Sequence, residues 1–231
     1  AGFVALDYTL KSGLRLAGGL RVEQSQIFSD VNEYYAKGYG KNDIRRENLG
    51  GFAVVNAADL KETNFLPSAN IVYKLKKIEK AQVNLRLNFS QTLARPSIRE
   101  LNDAAVYDNE FRTLIYGNSD LKNVHIINYD FRGESYFKNG DNISVSLFYK
   151  DFRNHIEMGF GSAGITWQNI DQSTVKGFEF EGKKGLGKQF EIRTNITLVQ
   201  SNSAFIRKDM TLVDGVKKFT TLDTINRPMF G

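Results

Sequence analysis

Cysteine is absent from the 231 residues, so neither a disulfide framework nor a thiolate metal site can be built. Histidine occurs only twice, as His125 and His155, roughly a strand length apart. That is too little for a zinc site, and no metal or other cofactor is expected. A hydrolase would need a nucleophile and a base at one rim; His155 with Glu157 and Asp151 is the only grouping that comes near, so the chain is not read as an enzyme. Nowhere is there an apolar run of the roughly 20 residues that a membrane-spanning helix requires. A β-barrel escapes that exclusion, because its membrane signal is spread over alternate residues. Strong charge of one sign is also missing. The net charge of +5 is dispersed, and its densest run, Lys74 to Lys80, falls on an expected turn, which argues against a nucleic-acid partner.

What is present is alternation. In Ala81 to Leu93, Ala81, Val83, Leu85, Leu87, Phe89 and Leu93 fall on one face. Gln82, Asn84, Arg86, Asn88, Ser90 and Thr92 fall on the other. A period of two belongs to a strand with one apolar and one wet face. At roughly 3.3 Å per residue this strand spans about 40 Å, well beyond an ordinary globular strand. The pattern recurs at Val4–Leu10, Leu14–Glu23, Ala69–Lys76, Ile127–Arg132, Ile143–Lys150 and Phe190–Leu198. Alternation alone fits either a soluble sandwich or a barrel with lipid on its apolar face.

Connection lengths separate the two. Short turns fall at Lys11–Gly13, Leu75–Lys80, Lys138–Asn142 and Gly185–Lys188; long polar, aromatic segments fall at Gln26–Asn64, Pro96–Val124 and Asn202–Lys217. Short turns at one end and long loops at the other are the asymmetry of an outer-membrane barrel. The spacing therefore predicts an all-β antiparallel meander of about nine long strands. Closed one-chain bacterial barrels use even strand numbers, so residues 1–231 read as part of a larger barrel, opening within a strand at Ala1 and ending before the last strands.

Around Leu93-Ala-Arg-Pro-Ser-Ile-Arg-Glu-Leu101 the chain resembles the barrel portion of the TonB-dependent outer-membrane receptors. Further stations follow in family order: Leu66 to Tyr73, Gly117-Asn-Ser-Asp-Leu-Lys122, Asn128-Tyr-Asp-Phe-Arg132, Ser146 to Lys150, Gln168-Asn169, Val175-Lys-Gly-Phe-Glu-Phe-Glu181 and Arg227-Pro228. Ser119 stands where the family commonly has proline. The motif residues are thus Arg95, Pro96, Arg99, Glu100, Leu101, Gly117, Asn118, Asp120, Asn128, Tyr129, Asp130, Asn169, Gly177, Glu179, Arg227 and Pro228. The resemblance implies a plugged barrel of the 22-stranded type, of which this chain is under half and carries neither plug nor TonB box. It also implies partners: outer-membrane lipid, the TonB complex acting through the plug, a surface lipoprotein and a small or oligomeric nutrient.

The motif has a physical reading of its own. Pro96 lacks a donor and should end a ladder; Ser97 and Glu100 have the spacing of a capping box that opens a short helix toward Asp103. Arg95, Arg99 and Glu100 then form a salt-bridged corner at the rim. Gly177 inside a strand marks a bulge or a close approach of backbone. Gly159-Phe-Gly-Ser-Ala-Gly164 matches the dinucleotide fingerprint in letters, yet Ile165-Thr-Trp-Gln resumes a strand where a helix is required, so it is a hairpin loop. The sequons at Asn88, Asn142 and Asn195 are likewise set aside, since two lie within expected strands.

Ligand chemistry, if any, belongs to the long loops. Tyr34, Tyr35, Tyr39, Arg45 and Arg46 lie in the first, Tyr107, Phe111, Arg112 and Tyr116 in the second, and Trp167 just past the glycine-rich tip. Aromatic faces can stack on ligand rings and guanidinium forks can bind carboxylate or phosphate; the competing role is loop packing or an interfacial girdle. The function expected is TonB-dependent uptake of a nutrient such as a siderophore, glycan or peptide, in the outer membrane. A structural or adhesion barrel not coupled to TonB, and a soluble carbohydrate-binding β-sandwich, are the alternatives.

Overall fold

The computed structural model describes residues 1–29, 58–75, 81–102, 106–161, 164–187, 189–213 and 216–227. The strands are β1 (Gly2–Thr9), β2 (Leu14–Ser29), β3 (Ala58–Lys74), β4 (Ala81–Ala94), β5 (Val106–Asp108), β6 (Thr113–Tyr116), β7 (Val124–Phe137), β8 (Asn142–Gly161), β9 (Gly164–Leu186), β10 (Phe190–Val213) and β11 (Val216–Arg227). Among the described residues one short helix, α1 (Ile98–Leu101), interrupts them. Nine strands form a single open meander in the order β1-β2-β3-β4-β7-β8-β9-β10-β11. Neighbours along it are antiparallel; among the described residues one parallel pair joins β6 to β9 at Ile115–Ile165 and Tyr116–Thr166.

The register confirms the two faces. Paired residues point the same way, so one row crosses the sheet through Tyr8, Leu16, Ile71, Leu87, Phe131, Leu147, Phe178 and Leu198, all apolar. Leu85, Val145, Ile192 and Ile196 share that face. The adjacent row on the opposite face carries Arg86, Arg132, Ser146, Glu179 and Thr197. Among the described residues no second sheet covers the apolar side, where Leu87 is 52% and Leu147 49% exposed. An exposed apolar face of this kind is what a barrel wall presents to lipid.

The apolar stretch slides along the strands. On β2 it runs from Leu14 to Val22, and on β10 from Phe190 to Leu198; yet the row through Gly18, at the middle of the first, arrives at Gln200, just above the second. The slip is about one residue per strand. With a rise of roughly 3.3 Å against a strand spacing of roughly 4.8 Å, a level apolar belt then demands a tilt of roughly 35°. Barrel walls tilt by that much.

Two loop assignments from the sequence need correction. Asn202–Lys217 is not a loop: β10 continues to Val213 and β11 begins at Val216, and the two pair antiparallel from Ser203–Arg227 to Val213–Val216. Likewise β2 extends to Ser29 and β3 starts at Ala58 within the stretch read as the first long loop. In these stretches the hydrophobic alternation fades while the antiparallel pairing of the hairpins continues. Pro96–Val124 is a long connection, but it contains α1, β5 and β6. Short turns close the other end, with Gly13, Gly140 and Gly187 in the left-handed region that these tight reversals require.

Candidate functional site

Alternation delivers charged side chains from separate strands to one face near the short-turn end. Glu134 on β7 is 5% exposed and sits between two arginines. Arg86 donates from Nη2 and Nε to Glu134 Oε1 at 2.7 and 2.9 Å, and Arg132 Nε donates to Oε2 at 3.3 Å. Arg132 Nη2 reaches onward to Glu181 Oε2 at 2.8 Å and to Ser144 Oγ at 2.9 Å. Asn84, Tyr136 and Ser146 complete the ladder. With every charge answered by its opposite, it forms a rigid polar wall. Further along this face Lys150 donates to Asn128 at 2.9 Å and Asn88 to Asp130 at 3.0 Å.

At the opposite end the β4–β7 connection folds onto the sheet as a strap. Pro96 follows directly on the last rungs of β4, and Ser97 caps α1: Glu100 N donates to Ser97 Oγ, and Ser97 N to Glu100 Oε2. Arg95 pairs with Glu23 on β2 and donates to Ser25 Oγ at 3.3 Å. Leu101 and Leu121 are buried against Ala58, with Ile27, Ile156 and Trp167 packed around them. Gly117 passes beneath the Asn102 carbonyl, where a β-carbon has no room.

Asparagine carboxamides complete the strap's attachment. Asn118 N donates to Glu100 O at 2.6 Å and its Nδ2 to Trp167 O at 2.9 Å. Asp120 N donates to Asn118 Oδ1. From β9, Asn169 accepts from Lys122 N at 2.9 Å and donates to Lys122 O at 3.1 Å and Asn154 O at 2.8 Å. Asn123 Nδ2 donates to Glu62 Oε2 at 2.7 Å.

The residues singled out in the sequence therefore divide. Arg95, Pro96, Glu100, Leu101, Gly117, Asn118, Asp120 and Asn169 meet in the strap and its anchor, while Arg99 and Ile98 lie exposed on α1. Asn128, Asp130 and Glu179 line the polar face of the sheet. Tyr129 belongs to the apolar face, its ring centroid 5.4 Å from Phe89 and 6.4 Å from Tyr149. Gly177 underlies Phe148, and Arg227 pairs with Ser203. Of the ligand candidates, Tyr107 is exposed on β5 and Arg112 has φ 51° in the β5–β6 turn. Tyr116 is half-buried on β6, where burial pushes its hydroxyl pKa up, and Trp167 packs under the strap. Tyr34, Tyr35, Tyr39, Arg45, Arg46 and Pro228 lie outside the described residues. Sequence reasoning missed Glu134, Arg132 and Glu181 as a unit. Their shared face was legible, but their pairing depends on register.

The sequence profile described as TonB dependent receptor-like, beta-barrel matches residues 1–227. No curated relative matches the chain. Among solved structures, the siderophore receptor PirA from Pseudomonas aeruginosa is similar at TM-score 0.57 and 16% identity, over 87% of this chain and 35% of that one. The Serratia marcescens hemophore receptor HasR, solved with its hemophore HasA and heme, gives 0.55 and 14%, over 90% of this chain and 34% of that one. The ferric enterobactin receptor PfeA from Pseudomonas aeruginosa gives 0.54 and 17%, over 87% and 29%. The chain thus spans about a third of the length of these receptors, and at such identities the likeness is one of fold. With a profile match across nearly its whole length, the chain belongs to the TonB-dependent receptor β-barrel family.

Proposed function

We propose that residues 1–231 are a wall segment of an outer-membrane receptor that takes up a nutrient by TonB-coupled transport. One observation carries this reading: a single sheet combines an apolar row across the strands on one side with a neutralised Arg–Glu ladder on the other. Lipid suits the first side and a polar occupant the second. In the receptor that occupant is a plug domain, held against Arg86, Arg132, Glu134 and Glu181 and displaced when TonB pulls it. A charge-balanced wall suits such a plug, because polar contacts can be exchanged for water at little net cost.

The substrate enters from the strap end. Tyr107 and Arg112 at the strap tip, with Tyr116 and Trp167 behind them, offer aromatic and cationic contacts to an anionic, aryl-bearing ligand. Tyr34, Tyr35, Tyr39, Arg45 and Arg46 extend that chemistry. Ferric siderophores and heme, named for the solved relatives, are the first ligands to try; a glycan or peptide delivered by a surface lipoprotein follows.

The test expresses the complete receptor in cells stripped of their own iron receptors, with and without TonB. Uptake of labelled ferric siderophore, heme or oligosaccharide that vanishes without TonB supports the reading. Uptake of the same size in both strains contradicts it and favours an uncoupled barrel.

A further inference from the structure

We propose that the apolar side of the wall holds a site for a phosphorylated, multi-chain glycolipid of the outer leaflet, with Lys176 as its phosphate contact. It rests on the sheet being a membrane wall and involves neither substrate nor TonB. One row of that face runs through Ala69, Phe89, Tyr129, Tyr149 and Lys176. The next row toward the short turns is the apolar one through Leu87 and Leu147. The next toward the long connections carries Gln91, Ile127, Asp151 and Thr174. The row between them is therefore the upper border of the apolar belt, at headgroup level, where tyrosine and lysine collect. Long connections mark the extracellular end, so this border meets the outer leaflet.

The border is not flat. Gly18 and Ala69 stand side by side and are small, while Phe89, Tyr129 and Tyr149 beside them raise a ridge of rings. The step leaves a hollow of about 400 Å³, lined by Ala69, Ile71, Leu87, Phe131 and Leu147 below the rings. It is continuous with the face that meets lipid, and its lining is apolar, so acyl chains are its fitting occupant.

Charge selects the head. Lys176 is exposed, and its ammonium has no hydrogen-bond or ion-pair partner among the described residues; the same holds for the hydroxyls of Tyr129 and Tyr149. Other cations nearby are answered: Lys150, on the opposite face, donates to Asn128, and Arg153, nearer the strap, pairs with Asp151. An unanswered ammonium at headgroup level attracts anionic lipid. From Ala69 to Lys176 is four strand spacings, about 19 Å. A lipid that fills the hollow and also reaches Lys176 must be broad, with several chains under a phosphate-bearing sugar head, whereas a two-chain phospholipid is narrow. The tyrosine hydroxyls lie between, placed to bond the head's hydroxyls and acyl carbonyls.

Native mass spectrometry of the complete receptor in mild detergent tests this without transport, so its failure is distinct from failure of the uptake reading. The probes are a defined phosphorylated glycolipid, its dephosphorylated form and phosphatidylglycerol. The phosphorylated glycolipid is expected to bind best. Lys176→Gln should weaken it about fivefold, the worth of one lysine at a charged lipid surface, while Lys176→Arg and the turn variant Lys138→Gln bind as wild type. Ala69→Phe, which fills the hollow, should weaken the phosphorylated and dephosphorylated forms alike. Wild-type affinity in Lys176→Gln, indifference to the phosphate, or equal binding of phosphatidylglycerol would each overturn the proposal.

Discussion

The ring of Phe148 lies across Gly177 on the neighbouring strand, so close that a β-carbon at position 177 would fall within it. The same β-carbon would stand 2.8 Å from the Leu198 carbonyl oxygen, which is backbone and cannot rotate away. Gly177 is thus fixed by approach from two strands, not by an unusual backbone angle. Gly177→Ala is expected to cost about 1–3 kcal/mol, as overpacking does. Phe148→Ala in the same chain should recover only part of it. Refolding titrations of the receptor into lipid vesicles measure both, and a neutral Gly177→Ala would remove the packing account.

Face assignment makes a sharper contrast at neighbouring positions. Leu87 belongs to the apolar row and Asn88, one residue on, to the polar face beside Asp130. An arginine replacing Leu87 should cost roughly 2–4 kcal/mol near the bilayer midplane, while one replacing Asn88 should cost far less. Equal penalties in vesicle folding would contradict the assignment.

The sheet was legible because membrane strands meet two environments, and Leu85, Leu87, Val145, Leu147, Ile192 and Ile196 record this residue by residue. The Ser97–Glu100 capping box was legible for a different reason, since both partners lie within one turn. Beyond the belt the record fails. Residues 202–213 carry no sustained apolar alternation, so nothing in their order distinguished strand from loop. Nor could spacing show that Asn118 and Asn169 anchor one strap, because their partners are backbone atoms of distant segments.

The Arg–Glu ladder depends on its central carboxylate. Glu134→Gln leaves Arg86 and Arg132 facing each other without the charge that separates them. A loss of roughly 1–3 kcal/mol is expected, the worth of a hydrogen-bonded charged group removed from its partners. Arg86→Gln in the same chain should recover part of the loss. Urea unfolding of the three variants in detergent or lipid checks the coupling, and simple additivity would mean that the ladder is not a unit.

Acid should act at the turns. Asp141 accepts from Lys184 Nζ, Gly185 N and Asn139 Nδ2, each at 2.8 Å, and these donors hold its carboxyl at about 2, below its ordinary value. Because the folded-state value is depressed, the contribution is complete above the unfolded value of about 4 and is lost as pH falls toward 2. The stability difference between the protein and its Asp141→Asn variant should therefore be constant from pH 7 to 5 and shrink between pH 4 and 2. A difference that does not change across that interval would show that the staple between neighbouring turns carries no weight.

The most direct measurement is a cysteine scan of residues 83 to 92 on β4 in the complete receptor, in intact cells, made clean by the absence of native cysteine. At each position a small water-soluble maleimide and a lipid-borne quencher compete to report the surroundings. The account predicts strict alternation: Val83, Leu85, Leu87 and Phe89 positions quenched by lipid, Asn84, Arg86, Asn88 and Ser90 positions reached from water. Reaction from water at both sets, with no period of two, would mean that the apolar face does not meet a membrane and would contradict the barrel wall itself.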